Sequence, residues 1–208
     1  MHKLKITAQL ASPLIKQGEM TFDALLMCLK GDPDIPLKQT DGLFHASSAI
    51  LETPIHGKVG FIAGLHGQHR LDPDLIKKNK NGGTHKMYDI QRRKGCGNVF
   101  HTYPTFTTAT VSWHCEGDMH GIHALLKDVY FLGKKRSQGY GQIVEGGWSI
   151  EESDFDGIMD DQGNPLRPVP EDRFAGNRDL PLVDAAWRPR YYDPMNRAAC
   201  YMPMENAA

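Results

Sequence analysis

The sequence predicts an α+β protein with a ferredoxin-like core, because its hydrophobic patterns follow the order β, α, β, β, α, β. Residues 3–10 and 105–115 alternate between apolar and polar side chains, which is typical of half-buried strands. Residues 22–30 and 119–129 carry apolar side chains at helical spacing. This order, also called RRM-like or split βαβ, places two helices on one face of a sheet and leaves the other face open.

The chain opens with a strand and a helix. In Lys3–Leu10 every second side chain is apolar, so we expect one face of this strand to be buried. After the break at Ser12 and Pro13, Thr21 is a suitable N-cap for the apolar run FDALLMCLK, and Gly31 is a suitable C-terminal stop. A short helix is therefore predicted between Thr21 and Gly31.

The middle of the chain predicts two further strands and a basic insertion. Phe44–Leu51 has the small and β-compatible residues of a strand, and Lys58–Ala63 is a second short strand or an irregular arm. We expect an inserted arm from about residue 66 to 104. Within it, residues 77–94 carry seven Lys or Arg against the single acid Asp89. Such a segment is either a solvated loop or a surface that contacts a polyanion.

The second half begins with a strand over Thr105–Cys115. Asp118 is a suitable N-cap for the helix that follows, and Gly133 stands where a C-terminal stop is expected. Gln142–Ile150 returns to strand character and supplies the last strand of the core. Residues 151–208 are acidic and rich in proline, so we expect an irregular extension there.

Length and composition indicate one compact body. The chain has 208 residues, of which 40% are hydrophobic and 24% charged, as in an average soluble domain with additions. We assign residues 1–150, including the inserted arm, to the ferredoxin-like domain. Residues 151–208 are predicted to be its C-terminal extension, not an independent domain.

The sequence also bears on location and on general partners. No apolar signal-peptide core and no run of about 18 apolar residues is found, so we expect a cytoplasmic protein without a membrane partner. The four cysteines form no CxxC pair, which favours free thiols. The net charge is only -1, but bases and acids concentrate in separate segments. A basic face can therefore meet a polyanion.

The most informative segment is GKKRSQGYGQ, residues 133–142, which we call the glycine-rich loop. Its glycines permit a backbone with positive φ, its cations and hydroxyl can contact phosphates, and Tyr140 offers a ring for stacking on a base. The alternative is a solvated helix end, where cations offset the helix dipole. A P-loop or a dinucleotide fingerprint is excluded, because each opens a helix and this loop leaves one.

The run LGKKRSQGYGQI resembles the glycine-rich signature of the RAMP superfamily, whose members are subunits of class 1 CRISPR effector complexes. KITAQLASPLI and TFDALLMCL are similar to the first strand and helix of that superfamily. The segment FHASSAILETPIHGKVGF looks most like the small type IV subunit that caps the crRNA 5′ handle. The resemblance covers residues 3–147 in pattern.

The resemblance implies a non-catalytic, RNA-binding subunit of a ribonucleoprotein in antiviral defence or plasmid interference. Its partners would be the guide RNA, the backbone and large subunits, and target DNA near the protospacer-adjacent motif. Base pairing would supply most of the specificity, while the protein holds the RNA backbone. The residues implied to bind RNA are Gly133, Lys134, Lys135, Arg136, Ser137, Gln138, Gly139, Tyr140 and Gly141 in the loop, and Arg92, Arg93 and Lys94 in the arm.

Some RAMP relatives are metal-independent endoribonucleases that process precursor crRNA, and this is the alternative function. His45 stands just before a predicted strand and is the candidate general base, with Lys58 or Tyr88 as partner. An isolated histidine is more often structural, so we expect no catalytic residue.

Clustered histidines also raise the question of a metal site. His114, Cys115, His120 and His123 lie within ten residues, and His66 and His69 form a second pair. However, neighbouring residues of a strand point to opposite faces, so His114 and Cys115 cannot easily reach one ion. We therefore predict no metal and no cofactor.

Overall fold

A computed structural model describes residues 1–63 and 99–203. The chain divides into two compact units. One contains Met1–Gly57 and Thr105–Ala208, and the other contains Lys58–Pro104. The predicted RNA-binding residues Arg92, Arg93 and Lys94 lie outside the described residues.

The α+β class is confirmed, because the described residues form mostly antiparallel sheets and few helices. The helices are α1 (Phe22–Lys30) and α2 (Met119–Leu126). The strands are β1 (His2–Leu10), β2 (Gln39–Thr40), β3 (Leu43–Phe44), β4 (Ile50–Leu51), β5 (Ile55–Ala63), β6 (Val99–Thr107), β7 (Thr110–Gly117), β8 (Ile143–Glu152), β9 (Val169–Pro170), β10 (Leu182–Ala186) and β11 (Arg197–Tyr201).

The central sheet has four strands in the order β4-β7-β1-β8, and all its pairs are antiparallel. Ile6 of β1 lies opposite Trp113 of β7 and Ile150 of β8. Alternation along the strands sends one set of side chains to a face that packs against α1 and α2. The fully buried members of this core include Leu4, Ile6, Ala8, Phe22, Leu26, Val111, Trp113, Cys115 and Ile122.

The opposite face of the sheet is polar. Lys3 and Lys5 of β1 are exposed there, and His114 of β7 is half-buried. The ring of Phe155 covers His114 edge-on, with the ring centroids 5.0 Å apart. The extension after β8 therefore crosses part of a face that the sequence predicts to be open.

The predicted strand over Phe44–Leu51 is wrong in extent, since only its two ends are strand. Between them, backbone N–H groups bond to three different neighbours. Ser47 donates to His114 at 2.8 Å, Ser48 to Leu166 at 2.8 Å and Ala49 to Met20 at 3.0 Å. A segment whose N–H groups bond to several different elements cannot form one continuous strand pairing. The acceptors of these bonds lie far away in the sequence, so local patterns do not predict them.

Two other elements differ from the prediction in where they begin or end. The strand expected over Thr105–Cys115 is broken between β6 and β7, where the Thr108 hydroxyl donates to the Glu52 carbonyl at 2.6 Å. The helix α2 begins after Asp118 as predicted, but it ends at Leu126 and not at Gly133. Beyond it the chain turns back, and the Val129 carbonyl accepts a bond from the Trp148 indole N–H at 3.0 Å.

The C-terminal extension is more regular than predicted. Its strands β9, β10 and β11 form a three-stranded sheet in the order β10-β11-β9. Val169, Phe174, Trp187 and Tyr201 form a second apolar cluster there, together with Leu43 from the first half of the chain. Short strands that pack on distant partners give too little periodicity to be recognised in the sequence.

In the second unit the structure describes residues 58–63 and 99–104. They belong to β5 and β6, which pair with each other. In this arm the ring of Phe61 contacts that of Tyr103 edge-on, at a centroid distance of 5.8 Å. None of the helices in the described part of the chain is long and apolar enough to cross a membrane.

Candidate functional site

The glycine-rich loop is held at both ends by the segment that follows β1. The Lys134 N–H donates to the Ile15 carbonyl at 2.9 Å, and the Gly141 N–H donates to the Pro13 carbonyl at 2.8 Å. The neck of the loop is closed by a 2.8 Å bond from the Leu132 N–H to the Gly141 carbonyl. The backbone between these anchors is therefore fixed by hydrogen bonds at its base.

Two of the three glycines in the loop are required by this anchoring. Gly133 and Gly141 have φ of 71° and 69°. A Cβ on Gly133 would lie 2.4 Å from the Ile15 carbonyl oxygen, and one on Gly141 would lie 2.1 Å from that of Leu132. Gly139 also has a positive φ, 84°, but a Cβ there would meet nothing within 4 Å. Close approach explains the first two, and backbone conformation alone explains the third.

Most polar side chains of the loop are exposed. Residues 136–138 form a single 3-10 turn, and Lys134, Arg136, Ser137 and Gln138 are exposed. The Lys134 ammonium donates to the side-chain carbonyl of Gln17. Lys135 and Tyr140 are half-buried, so less of the tyrosine ring is accessible than the sequence suggests. The tip presents a hydroxyl, an amide and cationic groups within a few residues.

A cavity of about 320 Å³ includes Lys16, which follows the anchoring segment, in its lining. It is lined by Lys16, Ser48, His56, Phe106 and Asn164, among others. The Lys16 ammonium lies over the Phe106 ring, 5.3 Å from its centroid. Residues 12–17 thus contribute both the anchors of the loop and one cation of this cavity.

His45 lies in a buried polar cluster, not at an exposed catalytic position. It is 8% exposed, and its Nδ1 lies 3.3 Å from Asp156 Oδ2 and 3.6 Å from Glu116 Oε2. Its suggested partner Tyr88 lies outside the described residues, and Lys58 belongs to the other unit. The sequence did not predict Glu116 and Asp156 as site residues, although Glu116 lies on the polar face of β7.

The charges around this cluster are partly balanced by a lysine. The Lys38 ammonium donates to both carboxylate oxygens of Glu116, at 2.9 and 3.0 Å. Partial burial acts to raise the pKa of Asp156, but the net shift is downward because the His45 ring, the Ile158 N–H and Lys3 stabilise the carboxylate. Asp156 is therefore an anion at neutral pH.

The histidine and cysteine candidates between residues 114 and 123 do not converge, and the pair His66 and His69 lies outside the described residues. His114 and Cys115 occupy opposite faces of β7, and the His114 Nδ1 lies 2.8 Å from the Ser153 hydroxyl. Burial and the charge of Lys5 lower the pKa of His114, while burial raises that of Cys115 to about 12. Within residues 1–63 and 99–203, His45, Glu116 and Asp156 form the one group with metal-ligand spacing.

A second buried network joins the C-terminal extension to α1. Arg167 and Asp23 are both fully buried, with 3.5 Å between Arg167 Nη2 and Asp23 Oδ2. The Tyr191 hydroxyl donates to Asp23 and accepts a 2.8 Å bond from Arg167. Burial acts to lower the pKa of Arg167, but the Asp23 carboxylate reverses this and raises it. We call these three residues the arginine network.

No family model matches the chain, and a search of curated proteins finds no similar sequence. The function must therefore be inferred from the geometry of the described residues and from the motifs in the sequence.

Proposed function

We propose that the protein is a non-catalytic, guide-RNA-binding subunit of a type IV CRISPR ribonucleoprotein, in which it caps the 5′ handle of the crRNA. The observation that carries the proposal is the glycine-rich loop. Its base is fixed by backbone bonds to Ile15 and Pro13. Arg136 and Ser137 are exposed at its tip, and the exposed side chain of Lys134 lies near the base, where it bonds to Gln17. Cations and a hydroxyl on a prearranged backbone suit the phosphates of an RNA strand.

The fold gives this proposal a second support. The strand order β4-β7-β1-β8, with antiparallel pairs and both helices on one face, is the arrangement expected of a ferredoxin-like core. We therefore propose that the protein has a ferredoxin-like core and that the glycine-rich loop precedes the last strand of this core. The cavity lined by Lys16 and Phe106 is a candidate pocket for a nucleotide of the same RNA.

The partners follow from the same proposal. A cap on a guide RNA would abut the backbone subunits and the large subunit, close to the protospacer-adjacent motif of target DNA. Tyr192 and Met195, which are 82% and 81% exposed, are candidate contacts for one of these proteins. The arm that carries Arg92, Arg93 and Lys94 would add RNA contacts, and the site of action would be the cytoplasm.

A role without cleavage is proposed because His45, the candidate general base, is buried. A general base must come within hydrogen-bond reach of the 2′-OH, directly or through one water. His45 faces two carboxylates at 10% side-chain exposure. Incubating the purified protein with repeat RNA in chelator tests this, since cleavage that is lost in His45→Ala would favour the endoribonuclease.

The central test is RNA retention by a loop variant. The chain is co-expressed with candidate backbone and large subunits and a repeat array, with Lys134, Lys135 and Arg136 replaced by alanine. We expect the purified assembly to lose guide RNA, which is measured by sequencing and quantifying the bound RNA. A matched control removes the exposed cations Lys30, Lys127 and Arg197 and should retain it. Equal RNA content in both variants would refute the proposal.

Salt dependence provides a finer measurement of the same contacts. The logarithm of affinity for single-stranded RNA falls with the logarithm of salt concentration by about 0.7 for each phosphate contact. If all three cations contact phosphates, the loop variant should show a slope that is shallower by about 2. The control variant should keep the slope of the native protein.

A further inference from the structure

We propose that His45, Glu116 and Asp156 form a binding site for one divalent zinc ion. Glu116 belongs to β7, His45 follows β3, and Asp156 belongs to the extension after β8, so the folded chain assembles the site from three distant segments. One ligand atom from each residue lies within 4.8 Å of the other two. The inference is independent of the proposed RNA-binding function.

The distances from His45 Nδ1 to the carboxylate oxygens of Asp156 and Glu116 are closer to those between two ligands of one metal ion than to those of hydrogen bonds. A charge-assisted N–H···O bond is about 2.7–2.9 Å long. The distances from His45 Nδ1 to the two carboxylates are 3.3 and 3.6 Å, and Nδ1 makes no hydrogen bond. Two ligand atoms about 2.1 Å from a tetrahedral zinc are about 3.4 Å apart. An ion between these atoms would thus need little rearrangement.

The histidine is already oriented as a ligand. Its Nε2 lies 2.9 Å from the Thr40 hydroxyl oxygen. In the metal-bound form, Nε2–H would donate to that oxygen and the Nδ1 lone pair would face the ion, which takes the place of the ring contact that stabilises the Asp156 carboxylate in the metal-free protein. Ligating histidines commonly donate their other ring N–H in this way, which fixes the ring. A buried nitrogen without a partner is unfavourable, and metal binding would satisfy it.

Lys38 sets the charge balance of the site. Without it, two carboxylates and a neutral imidazole would suit a divalent cation well. Its ammonium at Glu116 competes with the ion, but the side chain is 41% exposed and can turn out to solvent when the ion binds. The lysine should therefore lower the affinity without preventing binding.

The donor set selects among metals. Zinc accepts imidazole nitrogen together with carboxylate oxygen, and three protein ligands leave a fourth position for water. Magnesium prefers oxygen ligands in an octahedron and retains its waters. We therefore expect Zn²⁺ to bind at one equivalent per chain, and Mg²⁺ in millimolar excess not to displace it.

The experiment titrates the metal-stripped full-length protein with zinc chloride in competition with a chromophoric chelator. Asp156→Asn and Glu116→Gln keep the shape of each side chain and remove a ligand charge, and each should weaken the affinity at least tenfold. Asp154→Asn, an exposed acid two residues from Asp156, is the matched control and should bind as the native protein does. Circular dichroism confirms that each variant is folded.

Lys38→Met is the decisive variant, because it removes the competing cation and leaves all three ligands. Affinity for Zn²⁺ should rise by at least threefold. Absence of stoichiometric binding, or equal affinity in Asp156→Asn and the native protein, would overturn the proposal. Unchanged or weaker binding by Lys38→Met would also count against it.

Discussion

The glycine-rich loop and the arginine network use the same kind of side chain for opposite purposes. Arg136 is exposed at the tip of the loop, whereas Arg167 is fully buried against Asp23 and Tyr191. Removing a buried cation leaves its partner charge without compensation, while an exposed ion is stabilised by water. Burial, not residue type, therefore decides whether a cation holds the fold together or remains accessible to a ligand.

The two regions also differ in what the backbone contributes. In the loop, backbone bonds to Ile15 and Pro13 fix the position of the side chains. In the arginine network, side chains fix the backbone, since Arg167 donates to the carbonyls of Ala46 and Trp187 at 3.0 and 2.9 Å. Three substitutions in these regions and one change of pH at the half-buried His114, taken from the largest expected effect to the smallest, test how burial decides the role of a charge.

Replacement of Arg167 by methionine should destabilise the protein most. It leaves the Asp23 carboxylate buried without a cation, which typically costs about 3–5 kcal/mol. Urea unfolding measures the loss. The double variant Arg167→Met with Asp23→Leu should recover part of it, because both charges are then absent. Strictly additive losses would show that the two residues do not interact.

Replacement of Gly141 by alanine should be the next most damaging change. The Cβ would lie 2.1 Å from the Leu132 carbonyl oxygen at a φ of 69°. Overpacking and the left-handed backbone together cost about 3 kcal/mol. Gly139→Ala is the matched control, because it has the conformational strain without the contact, and we expect about 1 kcal/mol. Equal losses in urea unfolding would contradict the anchoring described for the loop base.

Lowering the pH should destabilise the protein through His114. Its pKa in the folded protein lies below the ordinary value of 6.5, because burial and Lys5 disfavour the charged ring. Between these two pKa values the unfolded chain binds more protons, so the free energy of unfolding falls as pH decreases through that window. His114→Gln should flatten this dependence in urea unfolding. Lys5→Gln should narrow the pH window, because the pKa of His114 in the folded protein then lies closer to its ordinary value. If both variants kept the pH dependence of the native protein, His114 would be excluded as its cause.

The triple replacement of Lys134, Lys135 and Arg136 by alanine should affect stability least. Lys134 and Arg136 are exposed and Lys135 is half-buried, and changes at such surface positions usually stay within about 0.5 kcal/mol each. Thermal and urea unfolding of the purified chain should therefore give nearly native values, although RNA retention is lost. A loss comparable to that of Arg167→Met would mean that the loop cations are structural.

Local sequence patterns predicted both ends of α1 and the start of α2, where the residues that begin or end the helix are its neighbours in the sequence. The bounds Phe22–Lys30 agree with the structure, with Gly31 left-handed at φ 73°, and Asp118 caps α2 through bonds to His120 and Gly121. The α+β class followed from the same periodicities. The end of α2 was wrong, because the chain leaves the helix to meet Trp148, which is a contact with a distant strand.

The sequence by itself determined the glycine-rich loop, because its cations, glycines and hydroxyl are consecutive and need no fold to bring them together. It also determined the alternation that buries Leu4 and Ile6 against the helices. Only the tertiary structure decided that Asp23, assigned by the sequence to the first turn of α1, meets Arg167, and that His45 meets Glu116 and Asp156. Pairing across such sequence distances depends on how several elements pack at once, and no local pattern encodes it.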